Sequence, residues 1–371
     1  MNSVYIHIPF CLAKCHYCGF NSKPLEQPAE INDYFLALSR EIKNRRGEIN
    51  ELKTIYFGGG TPTIAPVKLI ETIVNGLHPW VAKAELTIEA NPGTVTLEKL
   101  RSLREMGFNR LSLGVQSFDD GLLKRIGRVH TARQAARAFD LGLKAGFDNI
   151  SLDLIYALPG QSMAQWRSDL ERALALGPPH ISLYSLTYER NTVFKKQKAE
   201  GIITPCDEEL EADMYLEAVR QLGRAGLKRY EISNFAREGF CSRHNINYWQ
   251  AGDYLGFGAG AHSHYGPRRW SNIKNARLYA RAVNQGRSPA AFRETLSPEQ
   301  QRFEALFLGL RTTKGIDLKK YRLRFGISPL EQKPRLWQQW KEQGWADWND
   351  GSLRLTAKGL LLADGLAADL A

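Results

Sequence analysis

The first 190 residues alternate between two hydrophobic patterns. Short apolar segments rich in β-branched and aromatic residues are each followed by a longer stretch in which apolar residues recur at helical spacing. Strands are predicted at residues 3–9, 53–57, 85–90, 110–116, 148–156 and 180–187, and helices at 29–46, 66–80, 96–106, 131–145 and 162–176. Six β/α units in a row predict a parallel sheet with right-handed crossovers, open or partly closed into a barrel.

The boundaries of these helices carry the expected capping residues. Helices often end before a residue that can adopt positive φ, and Gly107, Gly146 and Gly177 follow three of the predicted helices. N-caps, which favour short polar side chains, are predicted at Asp119, Thr131 and Ser162.

Polar residues or glycines stand at the end of every predicted strand. Parallel α/β sheets place their chemistry at the carboxyl ends of the strands, where the loops converge. We therefore expect one functional site to contain Cys11, the loop 58–61, Glu89, Gln116, Asp153 and Thr187.

The pattern changes after residue 200. Residues 201–296 contain a predicted helix at 207–225 and then a stretch rich in glycine, histidine and aromatic residues. Residues 297–371 have helical periodicity at Phe303, Leu306, Leu310, Trp337 and Trp340. A strand–turn–strand around residues 349–351 (Asn-Asp-Gly), followed by a helix, predicts a small winged-helix-like module. The predicted domains are 1–200, 201–296 and 297–371.

Composition narrows the class of protein. The chain is 43% hydrophobic and 24% charged, with a net charge of +11 and no run of five like charges. This pattern favours a diffusely basic surface, with an anionic ligand or a membrane surface as the alternatives. A signal peptide is not expected at the N-terminus and no apolar run reaches membrane-spanning length, so a cytoplasmic location is expected. Five cysteines, three of them within eight residues, favour a metal site over a disulfide framework.

The clustered cysteines are Cys11, Cys15 and Cys18, directly after the first strand. Three thiolates on one loop can bind three irons of a [4Fe–4S] cluster and leave the fourth iron open to an external ligand. A zinc site would need a fourth protein ligand, and His16 completes no familiar zinc pattern. Zinc binding and three structural cysteines are the alternatives to a cluster.

The cysteine spacing resembles that of the radical S-adenosylmethionine (SAM) superfamily. The segments YIHIPFC, FGGGTPT, IEANPGT, LGVQSF and LDLIYALPGQ resemble the branch that contains the oxygen-independent coproporphyrinogen III oxidases and the heme chaperones of the HemW type. The resemblance covers essentially the whole chain. It implies an α/β fold: a partial (β/α)6 radical SAM barrel with a C-terminal winged-helix-like α+β module.

The resemblance also implies roles for individual residues. Cys11, Cys15 and Cys18 would ligate the [4Fe–4S] cluster, and SAM would bind the open iron through its amino and carboxylate groups. The glycines of the loop would let the backbone approach SAM. For Asp153, capping of a neighbouring helix is an alternative. The residues implied around SAM are Tyr5, Tyr17, Gly59, Gly60, Thr61, Glu89, Gln116, Arg128, Asp153 and Thr187.

Three features bear on the choice between oxidase and chaperone. The oxidases carry a further cysteine where this chain has Phe20, and they have an N-terminal extension before the cluster strand; both differences favour the chaperones. Gly19 favours the oxidases, because glycine at this position is typical of them. Residues 244–249 match the HNxxYW motif, which in the chaperones is associated with heme binding. The implied heme residues are His244, Asn245, Tyr248 and Trp249.

An imidazole can be an axial ligand of heme iron, and aromatic rings can stack on a porphyrin. A histidine beside a tryptophan is also typical of a buried core residue with satisfied hydrogen bonds. Further candidates are His262 and His264 for the iron, and Arg243, Arg268 and Arg269 for the propionates. Cys241 is expected to be a small buried residue, and Cys206 to have no chemical role.

The resulting hypothesis is a heme chaperone that carries a [4Fe–4S] cluster and SAM, binds heme and transfers it to an acceptor protein, free or at a membrane surface. The first alternative is a coproporphyrinogen III oxidase. The second is a winged-helix nucleic-acid- or protein-binding module with a structural cluster, although no nucleic-acid partner is expected because basic residues are not concentrated in one helix. A monomer or homodimer is expected.

Overall fold

The computed structural model describes residues 1–349 and 351–370. Its main element is a nine-stranded sheet with the order β11-β1-β4-β5-β6-β7-β8-β10-β9, numbered along the chain. The parallel strands are β1 (Ser3–Ile8), β4 (Thr54–Gly59), β5 (Glu85–Ala90), β6 (Arg110–Gln116), β7 (Ile150–Tyr156), β8 (His180–Ser185) and β11 (Leu255–Phe257). Antiparallel β10 (Asn234–Ala236) and β9 (Lys228–Arg229) complete the far edge. The α/β partial barrel is confirmed, and all six predicted strands form it.

Helices connect the strands on the outside of the barrel. They are α1 (Pro28–Arg45), α2 (Val67–Gly76), α3 (Leu97–Glu105), α4 (Asp120–Arg125), α5 (Ala132–Lys144), α6 (Met163–Ala175), α7 (Val193–Ala199) and α8 (Glu208–Arg224). The helix predicted at 66–80 ends earlier, at Gly76, and a 3-10 turn follows at Trp80–Lys83.

The predicted caps are present. Thr131 and Ser162 each form a capping box with the glutamine three residues later, and Asp119 accepts a hydrogen bond from the backbone of Leu122. The three predicted C-terminal glycines all have positive φ, between 72° and 99°.

Residues after 200 add to both edges of the barrel sheet. Strand β11 pairs with β1, and β10 pairs with β8, so this part of the chain shares the hydrophobic core of the barrel through Phe235, Leu255 and Phe257. It also contains α9 (Arg243–Trp249), α10 (Ala276–Asn284) and a three-stranded antiparallel sheet of β12 (His262–Tyr265), β13 (Arg268–Asn272) and β14 (Ala290–Thr295). The short strands β2 (Phe10–Cys11) and β3 (Lys23–Pro24) frame the cysteine loop.

The C-terminal module has a hydrophobic core of its own. Trp337 and Trp340 are buried at its centre, with ring centroids 5.0 Å apart in an edge-to-face arrangement. Its elements are α11 (Pro298–Gly309), β15 (Ile316–Asp317), α12 (Leu318–Phe325), α13 (Pro329–Gln332), α14 (Pro334–Glu342), β16 (Ala346–Trp348), β17 (Ser352–Leu355), α15 (Ala357–Leu361) and α16 (Ala363–Ala368). The antiparallel strands β16 and β17 form the predicted strand pair, although Asp350 of its turn lies outside the described residues.

Candidate functional site

The carboxyl ends of the barrel strands open into a cavity of about 1320 Å³. One wall is the cysteine loop, and the opposite wall is formed by the C-terminal helices α15 and α16. Every residue that the sequence implied for cluster and SAM lies on this cavity except Tyr5. The lining includes Cys11, Cys15, Cys18, Tyr17, Gly59, Gly60, Thr61, Glu89, Gln116, Arg128, Asp153 and Thr187.

Each of the three cysteine thiols lies beside a polar group. Thr61 Oγ1 donates to Cys11 Sγ at 3.7 Å, and Arg128 Nη1 donates to Cys15 Sγ at 3.6 Å. Cys18 Sγ lies 3.9 Å from the hydroxyl oxygen of Ser22. Donors at this range stabilise thiolate sulfur, which is the form that binds iron. The residues present therefore fit a thiolate-held cluster.

Burial alone would work against thiolate formation at Cys11, whose pKa it raises above the usual value. Iron binding has to overcome this effect, because a metal takes the deprotonated thiol. Across residues 1–349 and 351–370, no three His, Cys, Asp or Glu side chains form a group suited to a single metal ion.

The glycine loop packs against the protein's own backbone. A Cβ on Gly60 would lie 2.5 Å from the carbonyl oxygen of Phe10, directly before Cys11. Gly59 has a φ of +113°, and a Cβ there would meet the ring of His7 at 2.6 Å. Glycine is thus required for the close approach of Gly59 to β1 and of Gly60 to β2, a role that was not predicted from the sequence.

Glu89 is held at the centre of the barrel. Its carboxylate accepts hydrogen bonds from the Tyr56 hydroxyl at 2.8 Å and from the backbone N–H of Gly59 at 3.1 Å. Burial, opposed by the Tyr56 hydrogen bond, raises the pKa of Glu89 to about 7. Glu89 therefore changes charge near neutral pH.

Asp153 is anchored by one serine of its own strand and one of the neighbouring strand. Ser112 Oγ donates to one carboxylate oxygen at 2.8 Å and Ser151 Oγ to the other at 3.2 Å. Burial raises the pKa of Asp153 above its usual value. Its hydrogen-bond donors lie on strands β6 and β7, so Asp153 is not a helix cap, which excludes the alternative considered for it.

Two residues that the sequence analysis missed complete this wall. Asn91 Nδ2 donates to Thr61 Oγ1 at 2.9 Å, and Arg128 Nη2 donates to Asn91 Oδ1 at 2.6 Å. Asn91 thereby connects the donors of two cysteines, and its place in the IEANPGT segment could have indicated it. Tyr56, which holds Glu89, carries no motif signal.

Gln116 lies where β6 departs from regular pairing. Its φ is +68°, and the register with β7 shifts between Gly114 and Gln116. Bulges beside functional sites change the direction of a side chain. This one brings Gln116 to the cavity wall.

The HNxxYW helix lies at the opposite end of the barrel. Both carboxylate oxygens of Glu85 accept hydrogen bonds at 3.1 Å from the first backbone N–H groups of α9, those of Arg243 and His244. Glu85 and Thr54 are the first residues of β5 and β4. The helix therefore covers the amino ends of the strands, away from the cysteines.

His244 is buried there, with 1% of its surface exposed. Its Nδ1 is hydrogen-bonded to Thr54 Oγ1 and its Nε2 to the Tyr248 hydroxyl, each at 2.8 Å. Burial lowers the pKa of His244 to about 3, so the ring is neutral. This is the arrangement of a satisfied core histidine, and in it neither ring nitrogen is free for an iron.

The amino-acid sequence and this geometry match known proteins over nearly the full length. Residues 5–173 match the model of the radical SAM superfamily, and residues 296–362 match that of the HemN C-terminal domain. The chain is 39% identical to the heme chaperone HemW of Bacillus subtilis (strain 168) over 370 residues, 98% of this chain and 97% of that protein.

This chain belongs to the HemW family. The HemW protein of Escherichia coli (strain K12) is 41% identical over 265 residues, 70% of this chain and 69% of that protein. The solved structure of the E. coli coproporphyrinogen III oxidase HemN, a radical SAM enzyme, superposes with a TM-score of 0.86 and 24% identity, covering 99% of this chain and 89% of that one. That likeness shows a shared fold.

The remaining heme candidates of this HemW family member lie in different surroundings. The Arg311 guanidinium lies 5.4 Å from the ring centre of Trp249. The backbone N–H of Asn245 donates to Ser242 Oγ, the N-cap of the helix, at 3.3 Å. His264 Nδ1 is 3.8 Å from Asp253, whereas His262 is exposed. Arg268 and Arg269 line a separate groove, described below.

Tyr5 lies inside the barrel, between the cavity and α9. Its ring stacks on Tyr56 with centroids 6.1 Å apart, and its hydroxyl is 3.1 Å from His7 Nδ1. Among the helices in the described part of this HemW family member, none is both long and apolar enough to cross a membrane.

Proposed function

We propose that this protein is a cytoplasmic heme chaperone that carries a [4Fe–4S] cluster and SAM, binds heme and transfers it to an acceptor protein. The observation that carries the proposal is the 39% identity over 98% of the chain with a protein named heme chaperone. The fold likeness to HemN, at 24% identity, does not separate chaperone from oxidase.

The cluster would bind to Cys11, Cys15 and Cys18, and SAM would lie between the cluster and the strand ends. A bound cluster would supply an electron to SAM. The chain's own residues position these groups: Arg128 and Thr61 donate to the thiolates, and Glu89 and Asp153 offer carboxylate oxygens to the amino and hydroxyl groups of SAM.

The charge of the cavity supports a chaperone over an oxidase. Its acidic side chains outnumber its basic ones, and the basic ones are already engaged: Arg128 with Cys15 and Asn91, Arg311 with Asp364, and Lys14 with the backbone carbonyl of Ser22. A porphyrinogen with several propionates would meet no excess of positive charge on such a wall. The acidic residues are Glu89, Asp153, Glu189, Glu208, Glu211, Asp364 and Asp369, and the basic ones are Lys14, Arg128 and Arg311.

Phe20 supports the same choice. It lines the cavity mouth with 70% of its surface exposed, at the position where the oxidases have a cysteine. A phenyl ring offers neither a thiol for chemistry nor a charge for a propionate. An exposed aromatic residue at a cavity mouth is suited instead to contact with a partner molecule.

For heme, we propose that the amino-terminal end of the barrel is the binding face, with His244, Asn245, Tyr248 and Trp249 below it. His244 would reach the iron only in a state in which its hydrogen bonds to Thr54 and Tyr248 are broken. Heme titration of His244→Ala, with His78→Ala at an exposed position as the control, tests this role. An unchanged heme absorption spectrum in His244→Ala would show that His244 does not bind the iron and that the motif is a structural element.

The proposed function is tested with anaerobically reconstituted protein. We expect saturable heme binding, transfer of heme to an acceptor protein, and no conversion of coproporphyrinogen III, with E. coli HemN as the positive control for turnover. The transfer partner and the monomeric or dimeric state would be identified by cross-linking of the heme-loaded protein. Sustained oxidase turnover would reject the chaperone assignment.

A further inference from the structure

A second concave surface lies at the amino-terminal end of the barrel. It is a groove of about 940 Å³ between the end of α1 and the sheet β12–β14. This volume lies within the roughly 300–1,000 Å³ of small-molecule sites. The residues that matter for its chemistry are Arg45, Tyr265, Arg268, Trp270 and Arg293.

The sheet register brings these side chains to one face. Arg268 is paired with Tyr265 on β12, and Trp270 is paired with Arg293 on β14. Directly paired residues of an antiparallel sheet lie on the same side, as do residues two apart on one strand. Aromatic rings and guanidinium groups therefore alternate across the floor of the groove.

The flat groups are already arranged by stacking contacts. The guanidinium of Arg45 lies 5.3 Å from the ring centre of Trp270, and that of Arg268 lies 5.9 Å from the ring centre of Tyr265. Cation–π contacts of this kind hold both partners in place. The groove thus has ordered planar surfaces with positive charge at their edges.

Two of the arginines have no acidic partner among residues 1–349 and 351–370. Arg269 is neutralised by Glu294 and Glu304, and Arg45 pairs with Glu48 at 2.8 Å. Arg268 makes only its ring contact with Tyr265, and Arg293 donates only to Ser288 Oγ, at 3.1 Å. Both guanidinium groups can therefore bind a carboxylate in a bidentate manner.

Packed rings lead from the HNxxYW helix to the sheet β12–β14. Tyr248 of the motif lies edge-on to Tyr254 with centroids 4.6 Å apart, and Tyr254 stacks on His264 at 6.3 Å. His264 is paired in the sheet with Arg269, which is adjacent to Arg268 and Trp270 along β13, so these rings reach the face of the sheet opposite the groove floor. The basic groove and the motif therefore share one end of the barrel, opposite the acidic cavity.

We infer that this groove binds the porphyrin cargo, with Arg268 and Arg293 holding its carboxylates and Tyr265 and Trp270 contacting its flat face. The inference rests on the proposed heme chaperone function and states where on the protein the heme binds. A planar dicarboxylate satisfies both unpaired guanidinium groups and covers the aromatic floor at once. A lipid headgroup would use the charges and leave the rings uncovered.

The test is heme titration of the double variant Arg268→Gln/Arg293→Gln. Its control is Arg133→Gln/Arg335→Gln, which removes the same charge from exposed positions on α5 and α14 outside the groove. We expect heme affinity to fall at least about tenfold in the groove variant, because two charge-assisted contacts are lost, and to stay unchanged in the control. With heme dimethyl ester, which lacks the carboxylates, wild type and groove variant should bind equally.

The possible failures are distinguishable. Equal heme affinity of wild type and groove variant would overturn the inference and leave the chaperone function intact. No heme binding by wild type would overturn both. If the groove variant instead lost binding to phosphatidylglycerol vesicles while its heme affinity was unchanged, the groove would be a membrane-facing patch and the inference would be wrong.

Discussion

His244 stacks on Tyr56 inside the barrel, with ring centroids 5.0 Å apart and planes inclined by 27°. Tyr56 in turn donates its hydroxyl proton to Glu89 on the cavity wall. A continuous set of contacts thus joins the HNxxYW helix at one end of the barrel to the proposed SAM site at the other. Tyr56 therefore connects the two ends, so that a structural change at one of them is felt at the other through packed side chains.

The cysteine loop gives the first prediction. Replacing Cys11, Cys15 and Cys18 together with alanine should abolish iron and sulfide content after anaerobic reconstitution, because thiolates hold such clusters. Cys206→Ala and Cys241→Ala should retain the cluster, since neither residue lines the cavity. Iron and sulfide analysis with absorption spectroscopy measures both, and a cluster in the triple variant would contradict the assignment.

Gly60 gives a prediction about the shape of the loop. Gly60→Val would place a branched side chain against the carbonyl oxygen of Phe10, 2.5 Å from the Cβ position, and displace the strand that precedes Cys11. We expect reduced cluster content and weaker SAM binding. Gly93→Ala is the matched control, because a Cβ there has nothing within 4 Å. Calorimetry with SAM that shows equal affinity in Gly60→Val and wild type would exclude the loop from the site.

Glu89 gives a pH dependence. Its pKa of about 7 in the folded chain exceeds that of an exposed glutamate, so the folded state holds the proton more tightly and stability falls as pH rises from about 4.5 to about 7. Glu89→Gln keeps an acceptor for Tyr56 and removes this loss. We expect it to raise the free energy of unfolding by about 2 kcal/mol at pH 8, with a much smaller effect near pH 5. Denaturant unfolding at both pH values measures this, and an equal effect at both would show that Glu89 titrates normally.

His244 gives a prediction about stability. His244→Ala removes a buried ring and leaves the hydroxyls of Thr54 and Tyr248 without their partner, so the free energy of unfolding should fall by about 2–4 kcal/mol. His262→Ala, at an exposed position, should change it by less than about 0.5 kcal/mol. Equal stability of the two variants would mean that α9 is not anchored as described.

Local patterns in the chain predicted the barrel well. The six strands alternate with amphipathic helices, and hydrophobic periodicity and capping depend on neighbours in sequence, so Thr131 and Ser162 could be assigned as caps without a structure. The strand-end rule then grouped Cys11, Glu89 and Asp153, because the ends of parallel strands meet at one edge of a sheet. The grouping of these site residues, which follows from the order of the strands, could therefore be predicted from the sequence.

Contacts between distant segments could not be predicted from these local patterns. The HNxxYW motif names a helix and a candidate ligand, but only the fold shows that Thr54, 190 residues away, and Tyr248 occupy both nitrogens of His244. Likewise Gly60 is required by the backbone of Phe10, across 50 residues, and not by a ligand alone. Hydrogen-bond partners and steric limits of this kind depend on which segments meet, and that is decided by packing of the whole chain.

The same distinction applies to charge. The sequence determined a basic chain without a concentrated run of like charges. Only the tertiary structure separated an acidic cavity at the carboxyl ends of the strands from an arginine groove at their amino ends. Arg268 and Arg293 are 25 residues apart and come to the same face of the sheet because β13 and β14 pair in antiparallel register. An electrostatic field depends on distances in space, so spacing along the chain could not reveal it.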